Sequence, residues 1–156
     1  MKLKTTELRL GNLIKGIYTN ENFCDNDNTF IEELKETTCE VVGLDSDIDY
    51  PIWVKSNEGI TDFDYFEPLP LTEEWLLTFG FESTEYKWFE TSYFTDIKLV
   101  VEKIIISYNI ESGRLSIYDD AEDGLYPVYT AKKVEHVHQL QNLYYALTHQ
   151  ELTLKQ

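Results

Sequence analysis

Apolar and polar positions along this 156-residue chain follow two rhythms, one of strands and one of helices. "ELRLGNLIKGIY", residues 7–18, alternates in part and is bounded by Gly11-Asn12 and Gly16, which predicts a strand pair or a bent strand. "NENFCDNDN", residues 20–28, reads as a polar loop. In "TFIEELKETT", Phe30, Ile31 and Leu34 fall at helical spacing, which predicts a short helix. "CEVVGLD" and "PIWVKS" read as strands around the acidic turn "DSDIDY". Short β segments joined by polar loops predict a small barrel or curled sheet over residues 7–66.

The centre is the best punctuated stretch. In "FEPLPLTEEWLLTFGF", Pro68 and Pro70 keep their neighbours extended. Thr72 is a good N-cap, and Glu73 and Glu74 occupy the first turn, where the helix dipole favours acids. Trp75, Leu76 and Phe79 supply an apolar stripe, and Gly80 ends the helix as a C′ residue. "YKWFE", "KLVVEKIIISYNI", "RLSIYD" and "YPVYTA" follow, rich in β-branched and aromatic residues. Gly113 marks a turn joining residues 103–110 and 114–119 into a hairpin. Near the end, Val137, Leu140, Tyr144 and Leu147 recur at i, i+3, i+7 and i+10, widened by Leu143 and Ala146, so a helix spans about 137–148. Gln139, Gln141 and Asn142 lie mostly off that stripe, where amides face solvent or cap strand edges. The expected fold is α+β: a small N-terminal β-barrel-like lobe (1–67), then a short helix, an antiparallel β-sheet and a closing C-terminal helix (68–156). Trp75, Phe79, Leu140, Tyr144 and Leu147 are the expected core residues.

Composition narrows the function classes. Hydrophobic residues make up 42% of the chain, too many for a disordered one. Net charge is −16 and unevenly spread: residues 21–67 hold fourteen acids against Lys35 and Lys55. Phosphate-binding surfaces need clustered Lys and Arg, so direct nucleic-acid binding is not expected, whereas a protein mimic of nucleic acid is compatible with the charge. No window is apolar over eighteen residues, so no membrane span is expected. The start lacks the apolar stretch of a signal peptide, and Cys24 and Cys39 have no CxxC spacing. Two free thiols in the cytoplasm are the expectation.

Chemistry is sparse. Asp25, Asp27, Thr29, Glu33 and Glu36 fit a calcium-loop register, but Phe30 stands where the loop needs Gly. Asp45, Asp47 and Asp49 lack the glycine too. His136, His138 and His149 lack the spacing of a zinc site, so hydrogen bonding at the helix ends is expected of them. There is no GxSxG, HExxH, P-loop or GxGxxG. No catalytic residue, metal ligand or cofactor is assigned, and the chain is read as a non-enzyme. Of the aromatic stretches, 86–94 and 144–147 are expected to pack in cores and across strands.

"ELRLGN", "EPLPLTEEWLLTFGF" and "VHQLQNLYYALTHQELTL" together resemble a family of short proteins from Bacteroidetes phages, prophages and other mobile elements. Its members carry an ELRIGN-like start, a PIPLTEEWL-like centre and a YVHQLQNLYFALTGEEL-like end, in the same order. His149 stands here where that pattern usually has Gly. The resemblance implies a genomic setting rather than a mechanism. The expectation is therefore a small acidic cytoplasmic protein that binds a host or phage partner protein, as an interaction module or as a DNA-mimic inhibitor in counter-defence. Asp45, Asp47, Asp49, Asp62, Asp64, Gln139, Gln141 and Asn142 are the expected partner-binding residues. The alternatives are a small-ligand binder with an aromatic-lined pocket and a metal-dependent hydrolase using carboxylates of the 21–67 region.

Overall fold

The computed structural model describes residues 3, 5–24, 29–45, 52–61, 63–88, 92–119, 129–131 and 133–155. It is a mixed α+β protein, with two antiparallel sheets and two helices among these residues. The chain divides into two compact units: Met1–Leu69 with His136–Glu151, and Pro70–Glu135 with Leu152–Gln156. The closing helix, grouped from sequence with residues 68–156 in a second lobe or in one continuous domain, has its residues in the first unit.

In the first unit a 3-10 turn, Thr5–Glu7, leads into β1 (Leu13–Cys24), β2 (Thr29–Leu44), β3 (Ile52–Ser56) and β4 (Tyr65–Glu67). The sheet order is β3-β2-β1-β4, and among the described residues no ladder between β3 and β4 closes it into a barrel. Two local expectations are corrected. Residues 20–24 continue β1, where a loop was expected, and "TFIEELKETT" is the first part of β2, where a helix was expected. β1 and β2 pair without interruption from Leu13↔Glu40 to Cys24↔Thr29, and a continuous ladder outweighs a weak local helical spacing.

Ladder alternation sorts the side chains by face. Ile14, opposite Cys39, and Val41 are buried with Leu8 in the inner core, and Val54, Phe63 and Phe66 pack against them. Gly16 serves the same face. A Cβ there would lie 2.5 Å from the Phe63 ring and 2.8 Å from Cys39 Sγ, so only glycine leaves room for Phe63. The helix α2 (Val137–Thr148) completes the unit, with Val137, Leu140 and Tyr144 buried and Leu147 half-buried. Its C-cap His149 takes the left-handed conformation that glycine usually supplies, at φ 55°.

In the second unit α1 (Glu73–Thr78) is capped by Thr72, whose Oγ1 accepts from the Trp75 N–H, and Gly80 has φ 89°. The five-stranded sheet β5 (Glu82–Trp88), β6 (Ser92–Val101), β7 (Ile104–Asn109), β8 (Arg114–Asp119) and β9 (Tyr129–Ala131) is a meander in chain order. Its core includes Leu76, Phe79, Ile97, Ile106 and Leu115. Trp75, an expected core residue, is only half-buried.

Candidate functional site

Two places in the first unit concentrate chemistry: the seam between α2 and the start of the chain, and the outer face of the β1–β4 sheet.

The seam is built by amides. Gln141 is 2% exposed; its Oε1 accepts from the Leu13 N–H at 2.8 Å and its Nε2 donates to the Gly11 carbonyl at 3.1 Å. Asn142 Nδ2 donates to the Glu7 carbonyl at 2.8 Å. Gln139 turns back to the helix start, where its Oε1 accepts from the His136 N–H. The Arg9 guanidinium lies 3.5 Å from the centre of the Tyr145 ring and ion-pairs with Glu151 at 2.9 Å. The receiving loop is a turn: Asn12 N–H donates to Arg9 O, Gly11 takes φ 83°, and Gly11 and Asn12 bond the backbone of Val41. Of the amides expected to face a partner, Gln141 is not free to do so, and it takes instead the strand-edge capping role that its place off the apolar stripe also allowed. It is buried and spent on closing the start of β1. Asn142 is likewise engaged within the unit.

The outer sheet face carries Leu13, Lys15, Ile17 and Thr19 from β1 and Leu34, Glu36, Thr38 and Glu40 from β2, by register. Lys55 and Trp53 add β3, and Glu67 and Tyr65 add β4. Lys15 bridges three strands, 3.1 Å from both Glu67 and Glu36. The hydrogen bond to Glu67, and then that to Glu36, hold its ammonium pKa above the usual lysine value. Ile17 is buried in a shallow open depression whose other lining includes Lys15, Leu34, Glu36, Tyr65 and Glu67. Around this polar centre stand large exposed apolar side chains: Leu34 at 66%, Trp53 at 59%, Val42 at 50% and Tyr65 at 40%. Trp53 is braced. The ladder shifts between Val41 and Gly43, and a Cβ on Gly43 would lie 3.1 Å from Trp53 Cβ and 3.3 Å from its Cγ. Glycine therefore lets the indole lie against the bulge.

The expected acidic site is only partly gathered. Asp64 is exposed beside the outer face, where it accepts from Thr19 Oγ1 at 2.8 Å, and Asp45 is exposed just beyond β2. Asp47, Asp49 and Asp62, like Asp25 and Asp27 of the calcium register, lie outside the described residues. Thr29, Glu33 and Glu36 of that register stand on β2 rather than in a loop. Among the described residues no three His, Cys, Asp or Glu side chains group to hold a metal ion. Cys39 is a buried free thiol whose pKa burial pushes up to about 11. The ladder pairs Cys39 with Ile14 and Cys24 with Thr29, ten positions apart on β1, or about 33 Å at the strand rise. The two cysteines of one chain therefore cannot be bridged. The aromatic stretch 86–94 falls partly outside the described residues.

Sequence reasoning missed Leu34, Val42, Trp53 and Tyr65. The usable signal was Trp53, an aromatic at the same parity as the polar Lys55 in "PIWVKS", with Ile52 and Val54 pointing to the core. No protein-family model, curated protein or solved structure matches the chain. Among the described residues no helix is long and apolar enough to cross a membrane.

Proposed function

We propose that this is a small acidic binding protein that engages a partner protein through the outer face of its first sheet, in the mobile-element setting its motifs imply. The observation that carries the reading is the set of exposed apolar side chains on that face, with Trp53 lying over Gly43 at the bulge. Leu34 and Tyr65 stand toward one end of the β2 ladder and Val42 and Trp53 toward the other, so the face carries two small apolar patches flanking Lys15. Exposed apolar patches mark interaction sites, and aromatics are enriched among the residues that carry binding energy. Glu36, Glu40, Glu67 and Asp64 lie among or beside them, and the chain is strongly acidic, so the partner surface is cationic with apolar pockets. Apolar side chains interrupt the acids, which favours docking over imitation of a phosphate row. Cytoplasmic action agrees with a free Cys39 and two cysteines too far apart to pair. The site uses no cofactor and no catalytic residue.

The test is capture from host lysate by the parent and by Trp53→Ser and Leu34→Asp variants, at low and high salt. Both positions are exposed, so both variants should keep the parent's circular dichroism. The expected result is a partner retained in high salt by the parent and bound at least about thirtyfold more weakly by Trp53→Ser, the equivalent of about 2 kcal/mol. Equal retention by both variants refutes the site. A partner released by salt and displaced by duplex DNA supports mimicry instead. Saturable binding of a metabolite with no protein captured refutes protein binding altogether.

A further inference from the structure

His138, the second residue of α2, is 2% exposed, and among the described residues neither of its ring nitrogens has a hydrogen-bond partner. A neutral imidazole has one donor and one acceptor to satisfy, and a charged one has two donors. The ring is stacked on His136, with centroids 5.7 Å apart and planes 15° apart. It lies one helical turn before Gln141 and Asn142, on the face that grips residues 7–13. Asn12, between the two residues that Gln141 holds, is fully buried and its Nδ2 is also unpartnered. The seam thus rests on a few directed bonds around buried polar atoms that have no protein partner among the described residues.

We infer that His138 is an acid-operated release for this seam: the ring seats only while neutral, and protonation frees α2 from residues 7–13. An imidazolium there would bring a second donor and a full charge into a site where neither ring nitrogen finds an acceptor among the described residues. The titratable groups it feels are His136 on its own helix and Glu7 on the 3-10 turn. Burial is the largest influence and, with His136, holds the pKa below the usual 6.5, while Glu7 opposes more weakly. The unfolded or detached chain therefore binds the extra proton more readily than the seated one. The seam's full stability is present above the ordinary histidine range and is lost as pH falls below 6.5 toward the depressed value. One proton sets the ceiling, about tenfold in the seating equilibrium per pH unit.

The experiment is amide hydrogen exchange by NMR on the full chain, from about pH 7.5 to about pH 5, corrected for intrinsic exchange. We expect the opening equilibrium of the Leu140, Gln141 and Tyr144 amides to grow as pH falls, approaching tenfold per unit. His138→Phe should flatten that dependence, and exposed His149→Gln should leave it intact. Imidazole resonances give a second measurement that needs no variant: His138 should titrate below the ordinary histidine value of 6.5. Seam protection independent of pH overturns the proposal. So does a slope that survives in His138→Phe, or a His138 that titrates at or above the ordinary histidine value of 6.5.

Discussion

Gln141→Leu isolates what the seam contributes. The change keeps side-chain size and helix propensity nearly constant but deletes two hydrogen bonds that reach 128 and 130 residues back along the chain. Leu13 N–H and the Gly11 carbonyl lose their side-chain partner, and the replacement can bond neither. An orphaned, partly buried backbone group costs about 1–3 kcal/mol, and the leucine recovers at most about 1 kcal/mol of apolar burial. The expected loss is about 2–4 kcal/mol, or a fall in Tm of roughly 10–30 °C for a unit this size. Urea unfolding followed by Trp53 fluorescence reads it, in a background with Trp75 and Trp88 replaced by Phe so that emission belongs to the first unit. Gln139→Ala is the internal comparison. That amide accepts from the His136 N–H at the helix start, and its loss should cost about 0.5–1 kcal/mol. If Gln141→Leu moves stability by less than about 0.5 kcal/mol, as a surface change does, the seam carries no weight and the reasoning fails.

Gly16→Ala should destabilise the first unit by about 1–3 kcal/mol, because its Cβ would meet the Phe63 ring and Cys39 Sγ; unchanged urea midpoints would refute the packing. Leu140→Ala should cost about 2–5 kcal/mol and Leu147→Ala clearly less, since only the first is fully buried, and thermal melts of the pair test the order. Native Cys39 should resist a thiol-specific reagent at neutral pH and react on denaturation, in a Cys24→Ser background that leaves one thiol to count. Its raised pKa means the neutral thiol adds stability below the ordinary value of 9.0, lost as pH rises toward about 11; alkaline urea midpoints of parent and Cys39→Ala check that difference.

Both helices were legible because their signals are local. Thr72, Glu73, Glu74 and Gly80 punctuate α1, and the i, i+3, i+7 stripe sets α2 at Val137–Thr148. The hairpin of β7 and β8 was legible from Gly113, at φ 64°. The turn that splits "KLVVEKIIISYNI" into β6 and β7 was not, because Glu102 takes φ 53° without being Gly or Asn. β2 was misread for a related reason. Phe30 and Leu34 look helical alone, and only pairing with Phe23 and Thr19 of β1 makes them strand. Long-range pairing is what a single sequence hides, and it also decides which apolar residues stay outside. Leu34 and Val42 could not be placed on the outer face before β2 had a register.

The amides of α2 show the same thing from the polar side. On a helical wheel Gln141 belongs with the solvent-facing residues, yet it is buried because the turn at residues 9–12 presents a backbone donor and acceptor to it. The conspicuous stretches of the sequence thereby acquire a common cause. "ELRLGN" supplies the carbonyls of Glu7 and Gly11, "VHQLQNLYYALT" supplies the amides that read them, and the carbonyl of Leu69 in "EPLPL" receives the first N–H of α2. These residues are busy holding the first unit together, so their distinctive pattern reports a fold requirement before it reports a binding site. Residues free to meet another protein must lie elsewhere in the unit, and Leu34, Val42, Trp53 and Tyr65 all fall between the opening and central stretches. That segment also holds most of the acidic excess. The amide-rich stretches thus carry the scaffold of the first unit, and the exposed apolar side chains come from the β2–β4 segment between them.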